Sequence, residues 1–428
     1  MDFSFSERSL DYQRRLTDFM TEHVYPAEPV AAQQIADSGD PHHFPAVLGE
    51  LKEEAKRRGL WNLFHPHPDR ADGEGGEGGE GGEGGEGGDG SSNRPGLSNA
   101  EYAPLAEIMG RSPHLAPEAC NCNAPDTGNM ETLELHGTAE HREKFLEPLL
   151  AGEIRSAFCM TEPGTASSDA TNISMSVERV DGGYRLTGRK WFASNAMHPH
   201  LKVLIVMGKT SPDAETHKQQ SMLVVPSDAE GVTIVRNLTV FGYHDREGHA
   251  EVTFDNVFVP DKDILAGEGM GFRISQDRLG PGRIHHCMRA IGMAERALEL
   301  LCTRALSRST FGKPLAERDN IRDWIAEARI NIEAARQLTL KAAWMMDTVG
   351  NKEARQEIAA IKVLVPTMAL TVVDRAIQLH GGEGVTDDVP LASMWAGLRT
   401  LRLADGPDEV HKMTIARQEL RKYREPRR

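Results

Sequence analysis

The chain has no long apolar run. None of its hydrophobic stretches approaches the roughly 18 residues that a membrane-spanning helix needs, so no membrane span is expected. It also has no basic surplus. Lysine and arginine number 49 against 64 aspartates and glutamates, a formal charge of −15, which argues against a nucleic-acid binder with its basic contact face. That total still leaves room for a local basic pocket that takes a phosphorylated ligand. Cysteine is scarce: Cys120, Cys122, Cys159, Cys287 and Cys302 are the five present. Cys120-Asn121-Cys122 is too closely spaced for the common zinc knuckles and no second pair follows, so reduced, mostly buried thiols and no metal are expected. The start, Met1-Asp2-Phe3-Ser4-Phe5-Ser6-Glu7-Arg8, carries neither the basic nor the apolar segment of a secretory leader. A cytoplasmic location is the expectation.

What is present is 428 residues, 39% of them hydrophobic, enough for two or three domains. Asp72 to Gly90 is nearly a pure Gly-Gly-Glu repeat. Glycine has maximal chain entropy and glutamate adds self-repulsion, so 69–95 reads as a flexible acidic loop. An acidic tether is one reading of it; an expansion in a tolerant surface loop is the plainer one. Around it, residues 1–153 read as helical. Leu10 to Val24 and Phe44 to Gly59 carry apolar residues at helical spacing, Ser98-Asn99-Ala100-Glu101 forms a capping box, and Glu140 to Leu150 adds a further helix.

Residues 154–268 change texture. Met175 to Val180 alternates, Asp181-Gly182-Gly183 turns, and Tyr184 to Gly188 resumes, a hairpin. Short β-branched runs follow at Val203 to Gly208, Ser221 to Val225, Val232 to Val235 and Ala250 to Phe254, which predicts an antiparallel barrel or sandwich. Residues 269–428 return to long helices at Arg283 to Ser307, Ala316 to Thr348, Lys352 to Leu379 and Leu391 to Arg402, a four-helix bundle. Gly350 and Gly381-Gly382 read as helix ends. The fold class expected is α+β multidomain: helical, then β, then helical.

Five segments carry candidate chemistry. Phe158-Cys159-Met160-Thr161-Glu162-Pro163-Gly164 begins as a strand and breaks at Pro-Gly, and Thr165-Ala166-Ser167-Ser168-Asp169 follows. Backbone N–H groups and hydroxyls after such a break can bind a flavin edge or a pyrophosphate; a strand followed by an Asx or Ser turn is the plain alternative. Arg189-Lys190-Trp191-Phe192-Ala193-Ser194-Asn195 places aromatics beside a hydroxyl, or is an ordinary amphipathic strand. Arg308-Ser309-Thr310-Phe311-Gly312-Lys313 joins two helices, and Gln378-Leu379-His380-Gly381-Gly382-Glu383-Gly384 lets backbone come close to a ligand. Arg402-Leu403-Ala404-Asp405-Gly406-Pro407-Asp408-Glu409-Val410-His411 sets three carboxylates close together.

In this order and separation the segments resemble the acyl-CoA dehydrogenase family over nearly the whole chain, in texture most like the dehydrogenase module of its members 10 and 11. The resemblance implies that family's fold, FAD as cofactor, and α,β-dehydrogenation of an acyl-CoA to a trans-2-enoyl-CoA. Electrons would pass to an electron-transfer flavoprotein. It implies that Phe158, Met160 and Thr161 line the flavin and that Ser167 or Ser168 holds the pyrophosphate. Phe192, with Trp191 as alternative, stacks near the ring, and Ser194 reaches it. Arg308, Thr310 and Phe311, with Gln378, Gly381 and Gly382, serve the cofactor of a neighbouring subunit, so a homodimer or homotetramer is expected. Asp405 falls where the family carries its glutamate base, one methylene shorter, followed by Gly406; Arg283 falls beside it. Asp408, read as a helix N-cap, and Glu409, read as a first-turn or ribose-contacting residue, are alternative bases. Asp126, Thr127 and Asn129 line the acyl pocket or simply start a helix. If they line it, the acyl chain carries a polar or hydroxyl group. Two rivals accompany this reading: a flavin oxidase on the same scaffold, acyl-CoA oxidase or nitroalkane-oxidase-like, the latter with an aspartate base, and a flavin-binding protein without turnover.

Overall fold

Apolar residues at spacing three and four organise the N-terminal third into short helices packed on one core. In the computed structural model, residues 4–65, 95–243 and 246–424 are described; apart from Pro95, the Gly-Gly-Glu loop expected at 69–95 lies outside them. Helix α1 (Glu7–Phe19) is capped by Ser6 and passes through a π turn into α2 (Tyr25–Ser38), which Gly39 closes. α3 (Ala46–Arg57) precedes α4 (Asn99–Gly110). The expected capping box is there: Ser98 accepts from the Glu101 N–H and Glu101 accepts from that of Ser98. Short helices α5 (Ala116–Ala119), α6 (Asp126–His136), α7 (Ala139–His141) and α8 (Glu147–Ala151) lead to the sheet.

The sheet comprises β1 (Arg155–Cys159), β2 (Ser176–Val180), β3 (Gly183–Ser194), β4 (Leu201–Lys209), β5 (Gln220–Pro226), β6 (Val232–Asn237) and β7 (His249–Pro260). Strand order is β1-β4-β2-β3-β7-β6, with β5 on β4. The predicted hairpin is β2–β3, paired from Ser176↔Thr187 to Val180↔Gly183. The sheet is mixed rather than wholly antiparallel: β4 runs parallel to both β1 and β2. The reason is connectivity. β1 arrives from the helical part and leaves through the 160–175 segment instead of a hairpin, which frees it to lie parallel to β4.

Among the described residues five α-helices follow: α9 (Gly271–Ser307), then, after the small ribbon β8 (Ser309–Thr310) and β9 (Lys313–Pro314), α10 (Asp319–Glu353), α11 (Arg355–His380), α12 (Leu391–Leu401) and α13 (Asp408–Arg421). Gly350, at φ 81°, breaks α10, and Gly381, at φ 68°, closes α11. Helix α9 starts well before Arg283. Gly280, Pro281 and Gly282 look like breakers in sequence, yet packing carries the helix through them. The segment Arg355–Val385 is long and apolar enough by length and composition to cross a membrane, but most of its apolar window is buried inside this fold.

Helices α4 and α9 meet backbone to backbone. A Cβ built on Gly110 would lie 2.2 Å from the Arg289 carbonyl oxygen, and one on Gly292 would lie 2.0 Å from that of Glu107. Gly292→Ala must therefore separate the two helices and should cost about 3 kcal/mol in chemical denaturation. Gly282→Ala, on the same helix, meets no atom within 4 Å and should stabilise by about 0.5–1 kcal/mol. Equal effects from the two would contradict this packing.

Candidate active site

The loop between α12 and α13 carries Asp405 in the left-handed region at φ 55°, followed by Gly406 at φ 98°. Aspartate tolerates that conformation better than most residues, because its short polar side chain bonds locally. Nothing in the loop is regular enough to hold such a turn, and three side chains from outside do so. Lys362 of α11, 1% exposed, donates from Nζ to the carbonyls of Leu401 at 2.7 Å and Ala404 at 2.9 Å. Arg283 of α9 donates from Nε to the carbonyl of Asp405 at 2.9 Å. His411 of α13 packs beneath Gly406, where a Cβ would lie 3.0 Å from its Nε2.

The loop also clasps itself. Arg402 donates to Asp408 Oδ2 from Nε at 2.8 Å and Nη2 at 2.6 Å. Asp408 is thus not the N-cap expected from sequence. Pro407 occupies that position, and Asp408 is a buried first-turn residue engaged by Arg402. Glu409 beside it is exposed.

The Asp405 carboxyl is partly buried. Burial alone would raise its pKa, but the adjacent His286 ring and the positive charges of Lys362, Arg278 and Arg283 outweigh that and hold it below the ordinary aspartate range. His286 Nε2 lies 3.4 Å from Asp405 Oδ2. Arg278, His286 and Lys362 were not singled out from sequence. Their relevance arises from α9 and α11 converging on one loop, which no local pattern announces.

Arg278 links this corner to the sheet. Its guanidinium lies over the Phe158 ring, 3.9 Å from the centroid, and its Nε donates to Asn129 Oδ1 at 3.0 Å. Asn129 donates to Ser156 Oγ at 2.9 Å, and Asp126 accepts from the Ser156 N–H at 2.8 Å, Ser156 Oγ at 2.6 Å and Asn195 Nδ2 at 3.0 Å. Asp126, Thr127 and Asn129 are all buried, and the side chains of the first and last are spent on this network. It fastens α6 to β1 and to the end of β3.

The segment after β1 is held by a buried ion pair. Lys190 donates from Nζ to Glu162 Oε1 at 2.7 Å and to the Met160 carbonyl at 2.9 Å. Glu162 also accepts from Ser174 and the Met175 N–H, and the Trp191 N–H donates to the Thr161 carbonyl at 3.0 Å. Ser167 Oγ is occupied by the Glu162 N–H at 2.9 Å, whereas Ser168 is exposed. Phe192 is 42% exposed and packs edge-on to Trp191, whose buried indole N–H has no partner among the described residues. Ser194 Oγ lies 2.8 Å from His249 Nδ1.

The other two segments sit elsewhere. Arg308 is exposed, Thr310 half-buried, and Phe311 fully exposed at the tip of the β8–β9 ribbon. Gln378, Gly381 and Gly382 are exposed, with no atom within 4 Å of a Cβ built on either glycine. Arg304 ties this turn to the end of α9 through Glu383 at 2.5 Å. Along α9, Arg304 and Arg283 are separated by about 32 Å at helical rise. One chain therefore does not gather all the segments singled out from sequence.

Residues 157–257 match the family model of the acyl-CoA dehydrogenase middle domain, and residues 269–420 that of the acyl-CoA dehydrogenase C-terminal domain. FadE2 of Mycobacterium tuberculosis is 51% identical over 421 residues, 98% of this chain and 97% of that protein. Acyl-CoA dehydrogenase family member 11 of Gallus gallus is also 51% identical, over 97% of this chain. The chain spans about half of that longer relative, 51% of its length. An acyl-CoA dehydrogenase structure from Mycobacterium abscessus superposes with a TM-score of 0.90 at 46% identity, covering 99% of this chain and 100% of that one.

The geometry predicts that Lys362→Met leaves two loop carbonyls without their donor. Stability should fall by about 2–4 kcal/mol, and amide exchange should accelerate selectively over residues 402–406. A uniform change across the bundle, measured by hydrogen exchange, would count against Lys362 as the clasp of this loop.

Proposed function

Because this chain belongs to the acyl-CoA dehydrogenase family, we propose that it is an FAD enzyme that dehydrogenates a saturated acyl-CoA thioester to the trans-2-enoyl-CoA, with Asp405 as base. One observation carries the assignment of the base: Asp405 is a partly buried carboxylate, held ionised by cations, on a loop clamped from two helices. Neither rival carboxylate offers that, since Asp408 is engaged by Arg402 and Glu409 is exposed.

The residues suit the cofactor. The unpartnered Trp191 indole N–H and the exposed Phe192 face near the end of β3, with the exposed Ser168 hydroxyl in the segment after β1, offer a donor, a stacking surface and a phosphate contact. Phe158, Met160, Thr161 and Ser194 lie on the same two segments; Ser167, already bonded, is the weaker choice for the pyrophosphate. Arg308, Thr310, Phe311, Gln378, Gly381 and Gly382 would act on the FAD of a second copy, which their separation from Asp405 supports. The active unit is then a homodimer or homotetramer.

FAD supplies the hydride acceptor. The protein's own part is proton removal. An α-proton of a thioester is a weak acid, so the carboxylate must be ionised, close and poorly hydrated. Arg278, Arg283 and Lys362 keep Asp405 ionised, and the same positive field favours negative charge building on the thioester oxygen as the proton leaves. Arg283 acts through the loop backbone and thereby sets where the base stands. An electron-transfer flavoprotein is the proposed acceptor and the cytoplasm the proposed location.

Anaerobic mixing of the yellow protein with a panel of acyl-CoAs tests the reading. At least one should bleach the flavin, and Asp405→Asn should slow bleaching by about 10²–10⁴-fold. A carboxylate with a depressed pKa stays active from neutral pH downward and is lost only below the ordinary aspartate range. Any acid limb that Asp405 itself imposes on the bleaching rate should therefore lie below the ordinary aspartate range. Undiminished bleaching by Asp405→Asn would sink the base assignment, and rapid reoxidation by oxygen in place of a flavoprotein would replace dehydrogenase by oxidase.

A further inference from the structure

Lys362 and Arg283 grip carbonyls, and so place the backbone of the Asp405 loop without aiming its carboxylate. Among the described residues, His286 alone brings a lysine, arginine or histidine nitrogen within 4 Å of that carboxylate, at 3.4 Å from Oδ2. The other ring nitrogen, Nδ1, lies 3.1 Å from Arg289 Nη2. Guanidinium is donor only, so Nδ1 accepts, and a neutral imidazole then carries its proton on Nε2. Burial and Arg289 both push His286 below its ordinary pKa, more than the opposing pull of Asp405, which keeps the ring neutral. Arg289 has little freedom to swing away. It is buried, donates to the Cys122 carbonyl at 3.4 Å, and sits where the backbones of α9 and α4 touch at Gly110.

We propose that His286, locked by Arg289 as its Nε2–H tautomer, is a positioning residue that donates to Asp405 Oδ2 and aims Oδ1 at the substrate. This rests on Asp405 being the base. The donated bond is compatible with both states of the base, because Oδ2 can accept whether Oδ1 is empty or has taken the α-proton. The division of labour is specific: loop position comes from α11 and Arg283, carboxylate direction from His286.

The other groups facing Asp405 fix what a pH profile can report. Arg278 and Arg283 face it from α9, where Cys287 is pushed up to about 12 by burial. Lys362 faces it from α11, and His411, pushed down to about 4 mainly by burial, lies against the Asp405–Gly406 backbone from α13. Asp408, also on α13, faces Lys362, and Glu131 of α6, pushed up to about 7 by burial, faces Arg278. A limb near neutrality can therefore come from Glu131 and is not by itself a sign of the base. The comparison has to be between variants at His286.

The test is anaerobic stopped-flow bleaching of the holoenzyme by an acyl-CoA across pH, for wild type, His286→Leu and His286→Gln. Glutamine keeps an N–H where Nε2 stood; leucine does not. His286→Leu should lower the limiting rate about 10-fold with KM little changed, and move the acid limb upward by about one pH unit. His286→Gln should recover most of both. Nitrogen NMR of ¹⁵N-histidine-labelled wild type gives an independent readout that needs no turnover: the His286 proton should sit on Nε2. Equal behaviour of the leucine and glutamine variants, or a proton on Nδ1, overturns the proposal while leaving the base assignment intact. Asp405→Asn bleaching like wild type overturns the base assignment and this proposal with it.

Discussion

In a loop that turns through a left-handed aspartate, the carbonyls on either side of the turn need donors from elsewhere. Here those donors are the buried ammonium of Lys362 and the guanidinium of Arg283, arriving from α11 and α9. The arrangement ties two properties that a proton-abstracting carboxylate needs to one set of groups. The cations fix the backbone from which the side chain springs, and their charge counters the desolvation that would otherwise protonate it. Removing either cation disturbs position and ionisation together. Burying lysine is itself costly, and burial lowers the Lys362 pKa. Its two carbonyl bonds and the nearby Asp405 charge offset that cost.

The site depends equally on how the sheet is fastened to the helices. From Asn195 at the end of β3, polar contacts pass through Asp126, Ser156 and Asn129 to Arg278, which lies over Phe158 and faces Asp405. Asp126, Ser156, Asn129 and Asn195 are all buried, and the hydrogen bonds that join them hold the contacts in place. The network carries the alignment between the flavin-side strand end and the base-side helix. That is a physical reason for the polar start of α6, which as a simple acyl-tunnel wall would be oddly hydrophilic.

Much of the fold was legible because local chemistry and global packing agree. The Ser98 capping box, the hairpin at Asp181-Gly182-Gly183, and the helix breaks at Gly350 and Gly381 each follow from one or two residues with a fixed conformational preference. The early start of α9 was hidden because Pro281 between two glycines signals a break that tertiary packing overrides. The parallel placement of β1 was hidden because strand direction depends on a crossover, not on the strand. At the site, Asp405 and Arg283 stood out through their resemblance to a family pattern, and the structure joins them at 2.9 Å. Arg278, His286 and Lys362 look like ordinary helix residues in sequence. Asp408 shows the converse: its position before a helix suggested a cap, while the nearby Arg402 claimed its carboxylate.

The central claim is that Asp405 removes the α-proton, and α-hydrogen exchange measures that step without requiring net oxidation. A saturated acyl-CoA that bleaches the flavin would be held with the holoenzyme in D₂O under anaerobic conditions, and deuterium at its α-carbon followed by mass spectrometry. The account predicts enzyme-dependent incorporation in the wild type and none above the uncatalysed rate in Asp405→Asn, although the variant still binds the thioester. Incorporation at the wild-type rate in Asp405→Asn would contradict it and place the base elsewhere.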